Sequence, residues 1–547
     1  MKKFQPVKYD HLLASVLKPS RYINNEIYSR YNLPSEDKLN FCLAYPDVYE
    51  VGFSHLGIKI LYSILNKLPH ATADRVYAPW PDFGKLLQEN TLPLFALESE
   101  AALKDFDVLG FTLQSELTYT NILYMLQLSD IPLWQKERGE SDPIILGGGP
   151  CATNPEAIAD FFDAFLIGDG EEAIVEIYEV LLAQKSASRS QKLLKLAEIR
   201  GVYVPSLYQQ VGNQIVPIDS APAKISARKF MDFDNLEKKY TDQLVPWLQP
   251  THERYVAEAM RGCTRGCRFC HAGIFYRPFR ERDPQQMLDQ LLAEVKKSGW
   301  DEAALTSLST SDYSCIKPVL IDLYEKLQAT NSSLSLPSLR VDTIDDEISK
   351  LLNAMRQTGL TIAPEAGSQR LRNIINKTIN EDDIMQSVQT CLDNNWRLIK
   401  LYFMIGLPFE TEEDIDAIID LIKKIIALAG KRLQINVTIS PFVPKSHTPF
   451  QWAGLGEREE LIRKATKIKF CFSKQNFVKI KYHDVESLLL EAVIGRGDRS
   501  ISQLIFQAYQ KDALYDGWQE YFDFARWQSA ATELELDLDA YVKPKEL

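Results

Sequence analysis

Short apolar runs alternate with segments of helical period along most of the chain. Asn40–Tyr45 reads as a strand, and Ser54–Leu68 as a helix with Ser54 as its N-cap. Asp107–Leu113, Pro143–Leu146 and Phe162–Ile167 follow as strands, with helices over Leu117–Leu128 and Glu171–Leu182. Such alternation predicts an open parallel sheet covered on both faces. Glycines crowd the turns after two of these strands, at Gly147, Gly148 and Gly149 and at Gly168 and Gly170. In open sheets ligands lie beyond the carboxyl ends of the strands, where these turns fall.

The pattern lapses over 184–250, where polar and punctuated stretches surround one expected β-hairpin with Gly212-Asn213 at its turn. It then returns more regularly. Strands are expected at Tyr255–Met260, Ala303–Leu308, Leu334–Arg340, Leu360–Ala363, Leu398–Ile405 and Leu433–Ser440. Helices intervene at 284–298 (Asp283 as N-cap, Gly299 as stop), Ile316–Ala329, Asp345–Thr358, Asn380–Asn394 and Thr411–Ala429. Thr411 and Asp414 stand at capping-box spacing. With a helix near 457–474 these make six strand-then-helix steps, which predict an incomplete relative of the eight-unit barrel. The α/β chain is thus divided into an open-sheet domain (1–185), a connector (186–250), a partial (β/α)6 barrel (251–474) and a small helical region rich in aromatics (475–547).

A length of 547 residues with 45% hydrophobic and 25% charged content fits a soluble, multidomain globular protein. No apolar run is long enough for a transmembrane helix, and the N-terminus has no secretory apolar core. A net charge of −12 disfavours unspecific binding to nucleic acid. Five of the eight cysteines (Cys42, Cys151, Cys315, Cys391 and Cys471) are scattered and read as small buried hydrophobes, not as a disulfide framework. A reducing, cytoplasmic setting is expected.

The other three cysteines are concentrated in RGCTRGCRFCHAG, at Cys263, Cys267 and Cys270. Thiolates select zinc or iron–sulfur clusters. Zinc would need a fourth ligand, for which His252 and His271 are the nearby candidates. Three thiolates on a four-iron cube would instead leave one iron open to a small molecule.

The spacing C-x3-C-x2-C on a loop after the first barrel strand, with Phe269 before the last cysteine, resembles the radical S-adenosylmethionine (SAM) superfamily. The resemblance implies a [4Fe–4S] cluster on Cys263, Cys267 and Cys270, its open iron chelated by SAM. Reductive cleavage of SAM would then yield a radical that abstracts hydrogen from a substrate. Three further stretches match in order. LSTSDYS resembles the segment that binds the SAM amino group, with Ser309, Ser311 and Asp312 as candidates. APEAGSQRLR resembles the segment on the SAM ribose or carboxylate, with Glu365 as main candidate and Arg340 as a lesser one. KLYFMIGLP resembles the glycine motif flanking adenine, with Gly406. Arg277, Arg280 and Arg282 follow the cysteines in a basic, aromatic stretch.

The open sheet ahead of the barrel resembles a cobalamin-binding domain. The usual D-x-H-x-x-G pattern is absent, since Phe53 stands where its aspartate would be, two residues before His55. Some relatives bind cobalamin without a histidine, so cobalamin stays an open third cofactor. The order of parts looks closest to bacterial B12-binding-domain radical SAM proteins of unsettled activity. Methylthiotransferases share the cysteine spacing but carry a second cluster on three upstream cysteines, and only Cys42 and Cys151 lie upstream here. The expectation is a radical SAM enzyme fed by a reductant such as flavodoxin or ferredoxin. Its substrate would be an RNA, a ribosomal component or a small metabolite. The alternative is a non-catalytic iron–sulfur or zinc module with a structural role. Gly495–Ser500 (GRGDRS) has no assignable mechanism from sequence.

Overall fold

The computed structural model describes residues 4–30, 33–212, 214–218, 221–236, 240–328, 331–335, 351 and 359–545. The chain divides into two compact units. One holds Met1–Glu253 and Ile494–Asp537, the other Arg254–Val493 and Leu538–Leu547.

The first unit is built on β1 (Leu39–Tyr45), α1 (Leu56–Leu65), β2 (Ala71–Tyr77), α2 (Pro81–Glu89), β3 (Val108–Thr112) and α3 (Tyr119–Leu128). It continues with β4 (Ile144–Gly148), β5 (Ala164–Leu166), α4 (Ala173–Ala183) and β6 (Val202–Tyr203). The strands order β2-β1-β3-β4-β5-β6, parallel except for β6. All seven residues of β1 are buried, as a strand covered on both faces requires. The sequence pattern missed β2, because Asp74 and Arg75 interrupt it. Both are nonetheless buried, and Arg75 pairs with Glu26 and, at 2.6 Å, with Glu98. The expected cap Ser54 also gives way: His55 caps α1, its Nδ1 accepting the Ile58 N–H at 3.2 Å. The expected hairpin is present as β7 (Tyr208–Val211) and β8 (Gln214–Pro217).

In the second unit β9 (Tyr255–Glu258) leads to a small antiparallel ladder of β10 (Met260–Arg261) and β11 (Arg280–Glu281). Then come α5 (Pro284–Ser298), β12 (Glu302–Thr306), α6 (Ile316–Gln328) and β13 (Ser333–Ser335). After them run β14 (Gly359–Glu365), α7 (Glu381–Asp393), β15 (Leu398–Ile405), α8 (Glu412–Ala429), β16 (Gln434–Pro441), α9 (Arg458–Cys471) and β17 (Val478–Tyr482). The strands form two parallel sheets, β13-β12-β9 and β14-β15-β16-β17. This is the incomplete β/α barrel. Asp283, Gly299 and the Thr411/Asp414 box cap helices where expected. Apart from Leu351, the expected helix Asp345–Thr358 lies outside the described residues, as does the end of the strand Leu334–Arg340. The stretch 475–547, expected as mostly helical, opens with β17 and continues with helices.

Helix α10 (Val485–Arg496) carries the chain back to the first unit, where α11 (Ser500–Gln510) and α12 (Phe524–Glu533) pack. The GRGDRS stretch fastens this return. Arg499 pairs with Glu156 at 2.7 Å and donates to the carbonyls of Pro205 and Tyr208. Asn154 donates to the Gly495 carbonyl at 2.6 Å. Among the described residues no helix is long and apolar enough to cross a membrane.

Candidate active site

The cysteine loop leaves β10 at Gly262, whose φ is +88°. A Cβ there would stand 2.8 Å from the Tyr276 carbonyl oxygen and 3.0 Å from that of Pro278, so only glycine fits the turn. The far side of the loop is tied to the segment after β14. The Arg268 N–H donates to the Ile375 carbonyl at 3.0 Å. Asn376 Nδ2 donates to the Gly266 and Arg265 carbonyls at 2.9 and 3.2 Å. Phe269 packs on the apolar cluster of Ala366, Leu371, Ile375, Leu407 and Phe442. Two separate stretches thus hold the loop from both sides.

All three loop cysteines are free and partly buried. Burial pushes the Cys267 and Cys270 thiols up, and Cys263 adds to both through its own charge. Lys377 pulls both down. The Gly273 N–H donates to Cys270 Sγ at 3.3 Å, at the start of the short helix His271–Phe275. The three sulfurs are therefore within electrostatic reach of one another. Among the described residues no three His, Cys, Asp or Glu side chains converge as a single metal ion would need. Three interacting soft donors on one partly buried loop, one already accepting an N–H, suit an iron–sulfur cube. Of the scattered cysteines, Cys42 and Cys391 are buried as expected, whereas Cys471 is exposed.

Glu365 ends β14 after a break in register beyond Ile362, with φ at +66°. A non-glycine residue in that region is strained, and such strain gathers at functional sites. Its Oε1 accepts from Lys377 Nζ at 3.2 Å. Burial raises the carboxyl, with Lys377 opposing part of that rise. Glu365 also raises the Cys267 and Cys270 thiols, which places the pair beside the cysteines.

The serine-rich turn after β12 reaches the same loop. Asp312 accepts from Arg265 Nε at 2.8 Å and is also bound by its Nη2, so its carboxylate is engaged by the loop itself. Ser309 is 3% exposed and its Oγ has no hydrogen-bond partner among the described residues. Ser311 is buried alongside. The unsatisfied polar group of this motif is therefore the Ser309 hydroxyl. Gly406 follows β15 with φ at +74°, and a Cβ there would come 2.7 Å from Leu461 Cδ2 of α9. Its N–H donates to Glu410 Oε1 at 2.9 Å, and Glu410 pairs with Lys464 at 2.9 Å. Arg340 lies outside the described residues. Arg280 is spent on the carbonyls of Tyr276 and Pro278, at 3.0 Å each, and Arg282 is buried. Sequence reasoning missed Lys377, Asn376 and Arg265, whose roles depend on partners far along the chain.

Residues 258–422 match the family described as the radical SAM superfamily, and residues 57–205 match the N-terminal family of radical SAM proteins. An uncharacterised protein of Methanocaldococcus jannaschii is 29% identical over 88% of this chain and 96% of its own length. The ribosomal protein uS12 methylthiotransferase of Leptospira biflexa is 28% identical over 34% of this chain and 41% of its own. Among solved structures, the radical SAM methyltransferase TsrM of Kitasatospora setae, with cobalamin and a [4Fe–4S] cluster bound, superposes with a TM-score of 0.52. That likeness covers 76% of each chain at 15% identity, and it is one of fold.

Proposed function

We propose that the chain, whose residues 258–422 match the radical SAM superfamily, holds a [4Fe–4S] cluster on Cys263, Cys267 and Cys270 and uses it to start a radical modification of a substrate. The supporting observation is the gathering of three free thiols on one doubly anchored loop, beside the strained Glu365 and its partner Lys377. When bound, the cluster supplies one electron that cleaves SAM. The protein's own residues do the rest by binding and orienting. Lys377 opposes the upward push of burial on the Cys267 and Cys270 thiols and on the Glu365 carboxyl. In this reading the buried Ser309 hydroxyl, which has no hydrogen-bond partner among the described residues, would bond a polar group of SAM, and Glu365 would contact its ribose. Phe269, packed on the barrel's apolar cluster, shields one side of the loop from water. The electron comes from an external donor of the flavodoxin or ferredoxin kind. The substrate is an RNA, a ribosomal component or a small metabolite. Methylation through cobalamin would further require a corrinoid site in the α/β unit.

The test is anaerobic purification, assay of iron and sulfide, and incubation with SAM and a chemical reductant. The expected result is roughly four irons per chain and reductant-dependent 5′-deoxyadenosine. Replacing Cys263, Cys267 or Cys270 by Ala should remove both. Zinc in place of iron, without turnover, would sink the proposal in favour of a structural module.

A further inference from the structure

The α/β unit carries a feature that bears on its third expected cofactor. In the order β2-β1-β3-β4-β5 the chain first builds to one side of β1 and then to the other. The crevice where a ligand enters such a sheet lies between the carboxyl ends of β1 and β3. Here the two lips are joined: Asn121, in the first turn of α3, donates from Nδ2 to the Pro46 carbonyl just past β1, at 2.9 Å. The returning C-terminal segment then lies across them. The Tyr515 N–H donates to Asn121 Oδ1 at 2.8 Å, and its hydroxyl donates to the Pro79 carbonyl past β2 at 2.5 Å. Trp518 Nε1–H donates to Asp47 Oδ1 at 3.0 Å. Tyr515 is completely buried and Asp516 is 3% exposed. Trp80 packs against Tyr515, Trp518 and Tyr521 with ring centroids 5.0 to 5.2 Å apart.

The glycines that sequence reading set aside for a ligand are also used internally. A Cβ on Gly147 would stand 2.7 Å from the Phe165 ring, and one on Gly149 2.7 Å from the Leu113 carbonyl oxygen. One on Gly168 would stand 2.1 Å from the Arg228 carbonyl oxygen. Their missing side chains are room for the protein's own atoms. His55 spends Nδ1 on the cap of α1, and burial pushes its imidazole down to about 4.

We propose that Tyr515–Trp518 fills the switch-point crevice in cis, so that this unit carries no cobalamin and serves as a closed scaffold. The residues present do not fit a corrin ring or its nucleotide tail there, although the fold is shared with a protein solved with cobalamin bound. The experiment uses the full chain, anaerobically reconstituted and incubated with excess hydroxocobalamin. Two readouts follow: cobalt retained after desalting, and hydrogen exchange of the peptide spanning 515–518 with and without the corrinoid. No cobalt above a protein-free blank, and unchanged slow exchange at 515–518, are expected. Stoichiometric cobalt, or loss of protection at 515–518 on adding hydroxocobalamin, would overturn the proposal. Both readouts are independent of SAM cleavage, so the fate of the cluster assignment does not decide this one.

Discussion

Replacing Lys377 by Met would leave the Glu365 carboxylate mostly buried beside the Cys267 and Cys270 thiols, without its cation. Breaking such a pair costs about 3 kcal/mol, so K377M should lower the urea midpoint of the barrel unit in the metal-free chain. Adding Glu365→Gln should recover most of that loss, and a double-mutant cycle by circular dichroism measures the coupling. A second residue reports on the α/β unit through pH. Burial raises Asp516 to about 6, with Thr120, Trp527 and Arg526 lowering it and Asp523 raising it. Its folded value lies above its unfolded one, so the native state holds the proton longer. Stability from this group therefore falls as pH rises from about 4 to about 6 and is level above that, a loss of ~3 kcal/mol at most. Asp516→Asn should flatten that slope in thermal melts taken across the window. A slope unchanged by the substitution would contradict the assignment.

At the scale of elements, two glycines set how closely the barrel's parts approach. A Cβ on Gly367 would lie 2.2 Å from the Ile418 nitrogen in α8. Gly367→Ala should therefore cost about 3 kcal/mol or more by pushing that helix away from the loop after β14. Gly406→Ala combines a left-handed backbone with the contact to Leu461 and should cost about 2 kcal/mol, read as a lower unfolding midpoint. What could be read from sequence follows the same division between near and far. The cysteine loop was legible because its thiols fall within eight residues. Helix ends at Asp283, Gly299 and Thr411 were legible because capping is local. β2 was not, because its buried Arg75 makes sense only with Glu26 and Glu98 in place. Nor was β17, whose alternation of Val478, Ile480 and Tyr482 with lysines was lost in the aromatic stretch that follows. Around the site, Arg265 meets Asp312 across 47 residues and Asn376 meets Gly266 across 110, distances over which no short pattern carries information.

For the whole molecule, the return of Ile494–Asp537 matters most. A chain ended at Val493 would strip α11 and α12 from the α/β unit and uncover Trp80 and α3. It should aggregate or be cleaved by trypsin within the 39–183 region at rates well above those of the full chain, while Asn121 loses its bond from Tyr515 and Asp47 its bond from Trp518. The GRGDRS stretch, opaque in sequence, becomes part of this closure through Arg499 and Glu156.

This interleaving also has a consequence for biosynthesis. A ribosome releases the residues of β1 to β5 long before it reaches Tyr515, yet the sheet edge they form is finished only when that tyrosine arrives. Residues 254–493 leave the exit tunnel in between and have everything from β9 to β17 at hand. The nascent barrel can thus collapse first, while the earlier-made sheet waits with an open, aromatic-lined edge that invites chaperones during translation.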